Sequence, residues 1–287
     1  MRPLLFATCS AFPDGADDDR LLVDALAASN VAAAFAVWND PSVDWTHATT
    51  VLRSTWDYTL RRSAFLDWAH ALPALHNPAA LVAWNSDKVY LHELADAGVA
   101  VTPTTVVPPG SEPTFPSDTE FVVKPSVGAG SRGAGRFSPP AANAAAVHVR
   151  SLHDAGRTVL IQPYLAGVDD AGETALIYAD GDFSHAIRKG PMLTGGVAHD
   201  IAETSGLYVE ENIASRDPSP DELSLGAQAL AFLRSRFGST PLYARVDLLP
   251  TPSGPVVIEL ELTEPSLFLD QADGAVERMA AAIAARL

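Results

Sequence analysis

A chain of 287 residues, 47% of them hydrophobic, is long enough to bury one large core or two smaller ones. Its 35 acidic against 19 basic residues leave a net charge of −16 without any Lys/Arg cluster, which excludes the basic footprint that nucleic acid or an anionic membrane surface requires. The lone cysteine, Cys9, excludes an internal disulfide framework. With no charged leader segment and no long apolar run, the expected location is a reducing cytoplasm.

In chain order, Leu4 to Thr8, Ala32 to Val37 and Thr50 to Leu52 read as strands, and Asp17 to Ala28 and Ala64 to Leu72 as helices with one apolar face each. The alternation predicts a parallel α/β layer. Its first turn, Cys9-Ser10-Ala11-Phe12, lacks the glycines of a phosphate-binding turn, so this layer is expected to serve something other than the nucleotide. Polar groups cluster at its strand ends: Asp17, Asp18 and Asp19, then Arg53-Ser54-Thr55-Trp56-Asp57-Tyr58. Arg53 suits either a substrate carboxylate or the neighbouring acidic loop, with the substrate favoured.

Asn85 to Gly98 reads as one helix, with Lys88 in its first turn, where a cation gains nothing from the helix dipole. The Pro/Thr/Ser-rich stretch Pro103 to Asp118 reads as a subdomain connection. Next comes the strand Phe121 to Pro125, bearing Lys124, and then a loop from Ser126 to Arg136 holding Gly128, Gly130, Gly133 and Gly135. Its N–H groups can wrap phosphates, although no G-K-[ST] ends it. Gln162-Pro163-Tyr164-Leu165 leaves the predicted strand Thr158 to Gln162, and Asp169 to Glu173 forms an acidic loop. A hairpin about Asp180-Gly181-Asp182 brings in Arg188, and Gly190 to Ser205 reads as a lid. Ser219-Pro220-Asp221-Glu222 is a capping box opening a helix.

The run Leu242 to Pro265, LYARVDLLPTPSGPVVIELELTEP, reads as a hairpin. With Ser253 as midpoint, Asp247 faces Glu259 and Arg245 faces Glu261. Like charges across a strand pair repel, so three carboxylates with one arginine call for another cation. The spacing admits a hard divalent ion such as Mg²⁺, which takes oxygen ligands, or a solvated outer face.

Taken in order, Lys88, Lys124 with its glycine-rich loop, Gln162 to Leu165, Arg188, and then Asp247, Glu259 and Glu261 resemble the ATP-grasp superfamily of carboxylate–amine ligases, in particular its glutathione synthetase-like members. The runs Arg53 to Tyr58 and Glu259-Leu260-Glu261-Leu262-Thr263-Glu264-Pro265-Ser266 are similar to the branch of cyclo-ligases that closes O-ureido-D-serine to D-cycloserine. The resemblance implies an α/β (α+β) chain. A parallel α/β pre-ATP-grasp domain over 1–83 would precede an ATP-grasp domain over 84–287, with a lid subdomain at about 104–164 and a catalytic part at 165–287.

It also implies that Lys88 and Lys124 neutralise phosphates under Ser126, Gly128, Gly130 and Ser131. Gln162, Pro163, Tyr164 and Leu165 would read the adenine, and Glu173, or second to it Asp169 or Asp170, the ribose. Asp247, Glu259 and Glu261 would hold Mg²⁺, with Glu261 departing from the Asn that many relatives carry. Arg188, Arg245 and Lys124 would act on the transferred phosphoryl group, and Arg53, Trp56, Asp57, Arg188 and Ser266 would meet a small amino-acid-like substrate. The implied activity is an ATP-dependent ligase, with ring closure first, intermolecular ligation second and a non-catalytic nucleotide-binding module third. Either a monomer or a homodimer is compatible.

Overall fold

The structure, a computed structural model, describes residues 2–193, 196–197 and 212–287. Most of the expected lid from Gly190 to Ser205 therefore lies outside the described residues; Gly190 to Leu193 and the pair Gly196–Val197 lie within them.

Strands β1 (Leu4–Thr8), β2 (Ala33–Val37), β3 (Thr49–Leu52) and β4 (Leu75–His76) form a parallel sheet in the order β2-β1-β3-β4. Helices α1 (Asp17–Ala28) and α2 (Arg62–Ala71) connect them, as the alternating pattern predicts. The helix expected over Asn85 to Gly98 is instead three pieces: α3 (Ala79–Asn85), a 3₁₀ turn (Lys88–Tyr90) and α4 (Leu91–Asp96). The break lies at Asp87, whose extended backbone (φ −129°) leaves the helix and whose side chain accepts from the Val89 amide to start the turn. This bend brings the Lys88 amide to the carbonyl of Ser126 at 2.8 Å. Lys88 is thereby delivered to the glycine-rich loop, and α3 runs across the domain junction expected at 83–84.

A second sheet contains β5 (Thr105–Val107), β6 (Phe121–Pro125), β7 (Gly135–Phe137), β8 (Val159–Pro163) and, from far along the chain, β11 (Gly196–Val197), in the order β11-β7-β6-β8-β5. Helix α5 (Ala142–Asp154) covers one face, and Phe121, Val123, Phe137, Val149, Leu152 and Ile161 form a core of its own.

The third sheet follows the short helix α6 (Gly167–Ala171). It has the order β12-β10-β9-β13-β14 and is antiparallel, from β9 (Glu173–Ala179), β10 (Asp182–Lys189), β12 (Ile213–Ser215), β13 (Tyr243–Thr251) and β14 (Gly254–Glu261). The β9–β10 turn uses Asp180 and Gly181, both with positive φ (51° and 87°), the geometry that two-residue hairpins favour. Helix α7 (Pro220–Phe237) starts at the expected capping box, its Ser219 hydroxyl accepting from the Glu222 amide, and ends at left-handed Gly238. Helix α8 (Ala275–Ala284) returns to pack on α1.

The first and third sheets share one core, in which Phe6, Leu22 and Leu26 meet Ile177, Tyr243, Met279 and Ile283. Two buried asparagines lock the acidic hairpin to the N-terminal half. Asn77, left-handed at φ 60°, donates to the Tyr243 and Leu262 carbonyls and accepts from Leu242 N–H, and Asn85 spans the Leu260 carbonyl and the Leu262 amide.

Candidate active site

The hairpin pairs Arg245 with Glu261 and Asp247 with Glu259, as the period-2 argument expects. It does so by a different route. The turn is two-residue, with Thr251 opposite Gly254, so its centre lies half a residue before Ser253. A β-bulge between Asp247 and Leu248 restores the register. Without it, the second strand would present the opposite set of side chains.

These side chains form the floor of an open cleft between the second and third sheets. At one end the Gln162–Leu165 hinge passes an apolar slot made by Val122, Tyr164 and Val168 with Leu193 and Leu249. The Arg136 guanidinium lies 3.5 Å from the Tyr164 ring centroid. At the other end stand Lys88, Lys124, Gly128 to Ser131, Lys189, Arg245 and the acidic groups. The glycine-rich loop turns through left-handed Gly130, Ser131 and Gly133 (φ 60°, 55° and 70°). Arg132 then reaches back to the N-terminal domain, donating to the Thr59 hydroxyl at 2.7 Å.

Charge in the cleft is dense and unequally compensated. Burial alone would raise Asp247, but Arg245 and Lys189, each 2.8 Å from its Oδ2, hold it well below the usual carboxylate range. Glu261 shares Arg245, yet burial, reinforced by Asp247 and Glu259, pushes it up to about 8. Burial likewise takes Glu173 to about 7 despite its pairing with Lys189. Lys88 donates to Glu259 (2.9 Å) and to the Gly128 carbonyl (2.6 Å). Lys124 has no hydrogen bond or ion pair among the described residues, and burial pushes it down to about 8. A half-buried ammonium with no bonded partner among the described residues, at the mouth of a loop of backbone N–H groups, is arranged for an incoming anion.

A second compartment shares Lys88, Gly128 to Gly130, Arg245, Glu259 and Glu261 with the first and continues to Trp56, Tyr58, Glu264, Ser266 and Phe268. Its outer wall is the loop after β14, held by its backbone. The Thr263, Glu264, Pro265 and Ser266 carbonyls accept from Tyr243 Oη, Trp56 Nε1, Arg53 and Arg245, and Asp18 accepts from the Leu267 and Leu269 amides.

Sixteen of the residues expected at the site line these compartments: Lys88, Lys124, Gly128, Gly130, Ser131, Gln162, Pro163, Tyr164, Leu165, Glu173, Arg245, Asp247, Glu259 and Glu261 the cleft, and Trp56 and Ser266 the second compartment. Four do not. Arg53 is 2% exposed, its Nε 2.7 Å from Asp19, so the acidic loop wins over a substrate carboxylate. Asp57 accepts from Trp38 Nε1 at 2.8 Å and from Arg61. Ser126 is buried, its carbonyl spent on Lys88. Arg188 donates to the carbonyls of Ala171 and Asp170. The cation that strand alternation sends into the cleft is its neighbour Lys189. Glu264 was also missed, because a single acidic residue before a proline carries no pattern.

Among the described residues, no three His, Cys, Asp or Glu side chains stand at metal-ligand spacing. The donor chemistry nevertheless fits Mg²⁺. Asp247, Glu259 and Glu261 offer only oxygen from one face of the hairpin, the donor set a hard divalent ion takes.

A glycine-rich strand-loop with two lysines, a hinge beside an apolar slot and an acidic hairpin, clasped between two antiparallel sheets, define an ATP-grasp ligase. The N-terminal domain model of D-cycloserine synthetase DcsG matches residues 4–80. The chain is 38% identical over 283 residues to the cycloserine biosynthesis protein DcsG of Streptomyces lavendulae, covering 93% of this chain and 92% of that protein. The crystal structure of D-cycloserine synthetase DcsG superposes with a TM-score of 0.86 at 36% identity, covering 99% of each chain. The ATP-grasp ligase PsnB, solved with its minimal precursor, Mg and ADP, shares the fold at a TM-score of 0.61 and 16% identity, over 99% of this chain and 97% of that one. The chain belongs to the D-cycloserine synthetase family of ATP-grasp enzymes, and it is an ATP-dependent ligase.

Among the described residues, no helix is long and apolar enough to cross a membrane.

Proposed function

We propose that this ligase closes O-ureido-D-serine to D-cycloserine, with ATP split to ADP and phosphate. The observation that carries the reading is the shared wall. The phosphate end of the nucleotide cleft and the substrate compartment meet at Lys88, Gly128 to Gly130, Arg245, Glu259 and Glu261, so a carboxylate in one lies against a γ-phosphate in the other. The relatives named for cycloserine formation support this choice of substrate.

Adenine enters the slot of Val122, Tyr164 and Val168, with the hinge backbone along its polar edge, while Lys124 and the glycine-rich loop take the phosphates. Asp247, Glu259 and Glu261 would hold Mg²⁺, which supplies charge neutralisation on the phosphate oxygens. The substrate carboxylate oxygen bonds to the γ-phosphorus as ADP leaves, and catalysis is positioning plus charge neutralisation. Arg245, fixed by Asp247, Glu261 and the Ser266 carbonyl, offers a rigid guanidinium to the acyl phosphate. The ureido nitrogen next to oxygen then bonds to the acyl carbon, phosphate departs, and hydrolysis of the carbamoyl group releases CO₂ and ammonia.

The test is ADP release over a panel of amino-acid derivatives, with and without an added amine. O-ureido-D-serine alone is expected to give ADP and cycloserine. A strict requirement for a second amine would replace ring closure by intermolecular ligation. Glu259→Gln is expected to keep the fold and lose Mg²⁺-dependent ADP release, and near-normal turnover in that variant removes Glu259 from the metal set.

A further inference from the structure

Glu264 has no place in the reaction as derived above, yet it lines the substrate compartment. Apart from its own backbone N–H, nothing among the described residues hydrogen-bonds its carboxyl, and Lys88, the cation that offsets its charge most, is already engaged by Glu259 and the Gly128 carbonyl. Burial accordingly pushes it up to about 8. A half-buried carboxyl with no bonded cation, facing a compartment, favours a ligand that brings a cation with it. The other walls indicate which kind of cation. Trp56, Tyr58 and Phe268 line the same compartment, and aromatic faces suit an organic ammonium better than a hard metal ion that keeps a shell of oxygen ligands.

The loop geometry supplies the complement. Arg245 donates to the Ser266 carbonyl at 3.0 Å and Trp56 Nε1 to the Glu264 carbonyl at 3.0 Å, so one pinned loop holds a guanidinium and a carboxyl at fixed spacing in one compartment. An α-amino acid carries the matching pair, a carboxylate and an ammonium on one carbon.

We propose that Glu264 receives the α-ammonium of the amino-acid substrate while Arg245 takes the carboxylate, making Glu264 the residue that restricts this ligase to amino acids. This rests on the reading of an amino-acid substrate above. Two charged contacts on one carbon also orient the third substituent, which carries the nucleophile.

The test compares kcat/KM for O-ureido-D-serine with that for 3-(ureidooxy)propanoate, which lacks only the amine, in the full-length enzyme with Mg²⁺ and ATP. Wild type is expected to prefer the amine by at least 100-fold. Glu264→Gln is expected to cut the preference to under fivefold through the amino substrate alone, with KM for ATP within twofold. A Gln variant that keeps the full preference overturns the assignment. Should that variant not fold, Glu264→Asp decides: a KM raised for the amino substrate alone supports the assignment, and an equal rise for both overturns it. If wild type ignores O-ureido-D-serine but turns over another amino acid of the panel, the substrate named above falls. The amine preference is then measured on that amino acid and judges Glu264 by itself.

Discussion

Arg53 separates two accounts of the N-terminal domain. Its guanidinium is bonded to Asp19 at 2.7 Å and to the Pro265 carbonyl at 2.9 Å, and the ion-paired side chains are 2% and 3% exposed. Arg53→Met leaves Asp19 with the Ser54 hydroxyl and no cation. Breaking a buried pair from one side costs roughly 3–5 kcal/mol. At about 3 kcal/mol per molar urea, that lowers the unfolding midpoint by about 1 to 2 M. Arg53→Met with Asp19→Leu removes both charges. Both variants leave the Pro265 carbonyl without Arg53; the double adds only the loss of Asp19 to the Ser54 hydroxyl, about 1–3 kcal/mol, less than the roughly 3–5 kcal/mol of a lone buried carboxylate, so the double variant is expected to be more stable than the Arg53 single. Urea unfolding followed by circular dichroism reads the stabilities, and KM for the amino-acid substrate reads the site. If Arg53 positions the loop, the double variant regains stability and retains measurable affinity. An Arg53→Met enzyme that unfolds at the wild-type midpoint yet shows a KM raised tenfold would refute this account and return the guanidinium to the substrate.

Lys124→Met is expected to leave the nucleotide-free protein at least as stable as wild type, because the half-buried ammonium it removes has no bonded partner among the described residues. It is also expected to weaken ATP by roughly tenfold or more, the worth of about 1.5–3 kcal/mol for a charged hydrogen bond. Calorimetry showing unchanged ATP affinity would remove it from the site. Stability should also depend on pH through Glu264. Its folded value, about 8 against an ordinary 4.5, means the folded chain holds that proton more tightly. The contribution is therefore full below pH 4.5 and is lost as pH rises through 8. Glu173 and Glu261 act in the same sense, whereas His76 and His185, lowered by burial, act in the opposite one. Comparing wild type with Glu264→Gln isolates one group: the wild-type midpoint should fall relative to the variant between pH 5 and 8.5, and parallel profiles would place that carboxyl in water.

Local pattern carried much of the fold. The capping box at Ser219, the Asp180-Gly181 turn and the first three strands each rest on neighbours within a few residues, and each stands as expected. The helix over Asn85 to Gly98 failed because its break serves a long-range bond, from the Lys88 amide to the Ser126 carbonyl, that no local window contains. The pairing of Asp247 with Glu259 was reached from a symmetric turn that does not exist; a bulge made the register right. Arg188 and Lys189 differ by one position, and only the pairing of Glu173 with Lys189 shows which of them the strand turns towards the cleft.

The sequence by itself determined the chemistry at hand: which residues could bear charge at phosphates, which backbone could wrap them, and that an acidic hairpin ends the set. These depend on residue type and on periods of two or 3.6. Tertiary packing alone decided which charges share a cavity. Arg53 and Asp19 cancel in the core, Lys189 joins Asp247, and Glu264 stands in the second compartment with no protein cation bonded to it among the described residues, since burial and distance between remote segments set which ion meets which.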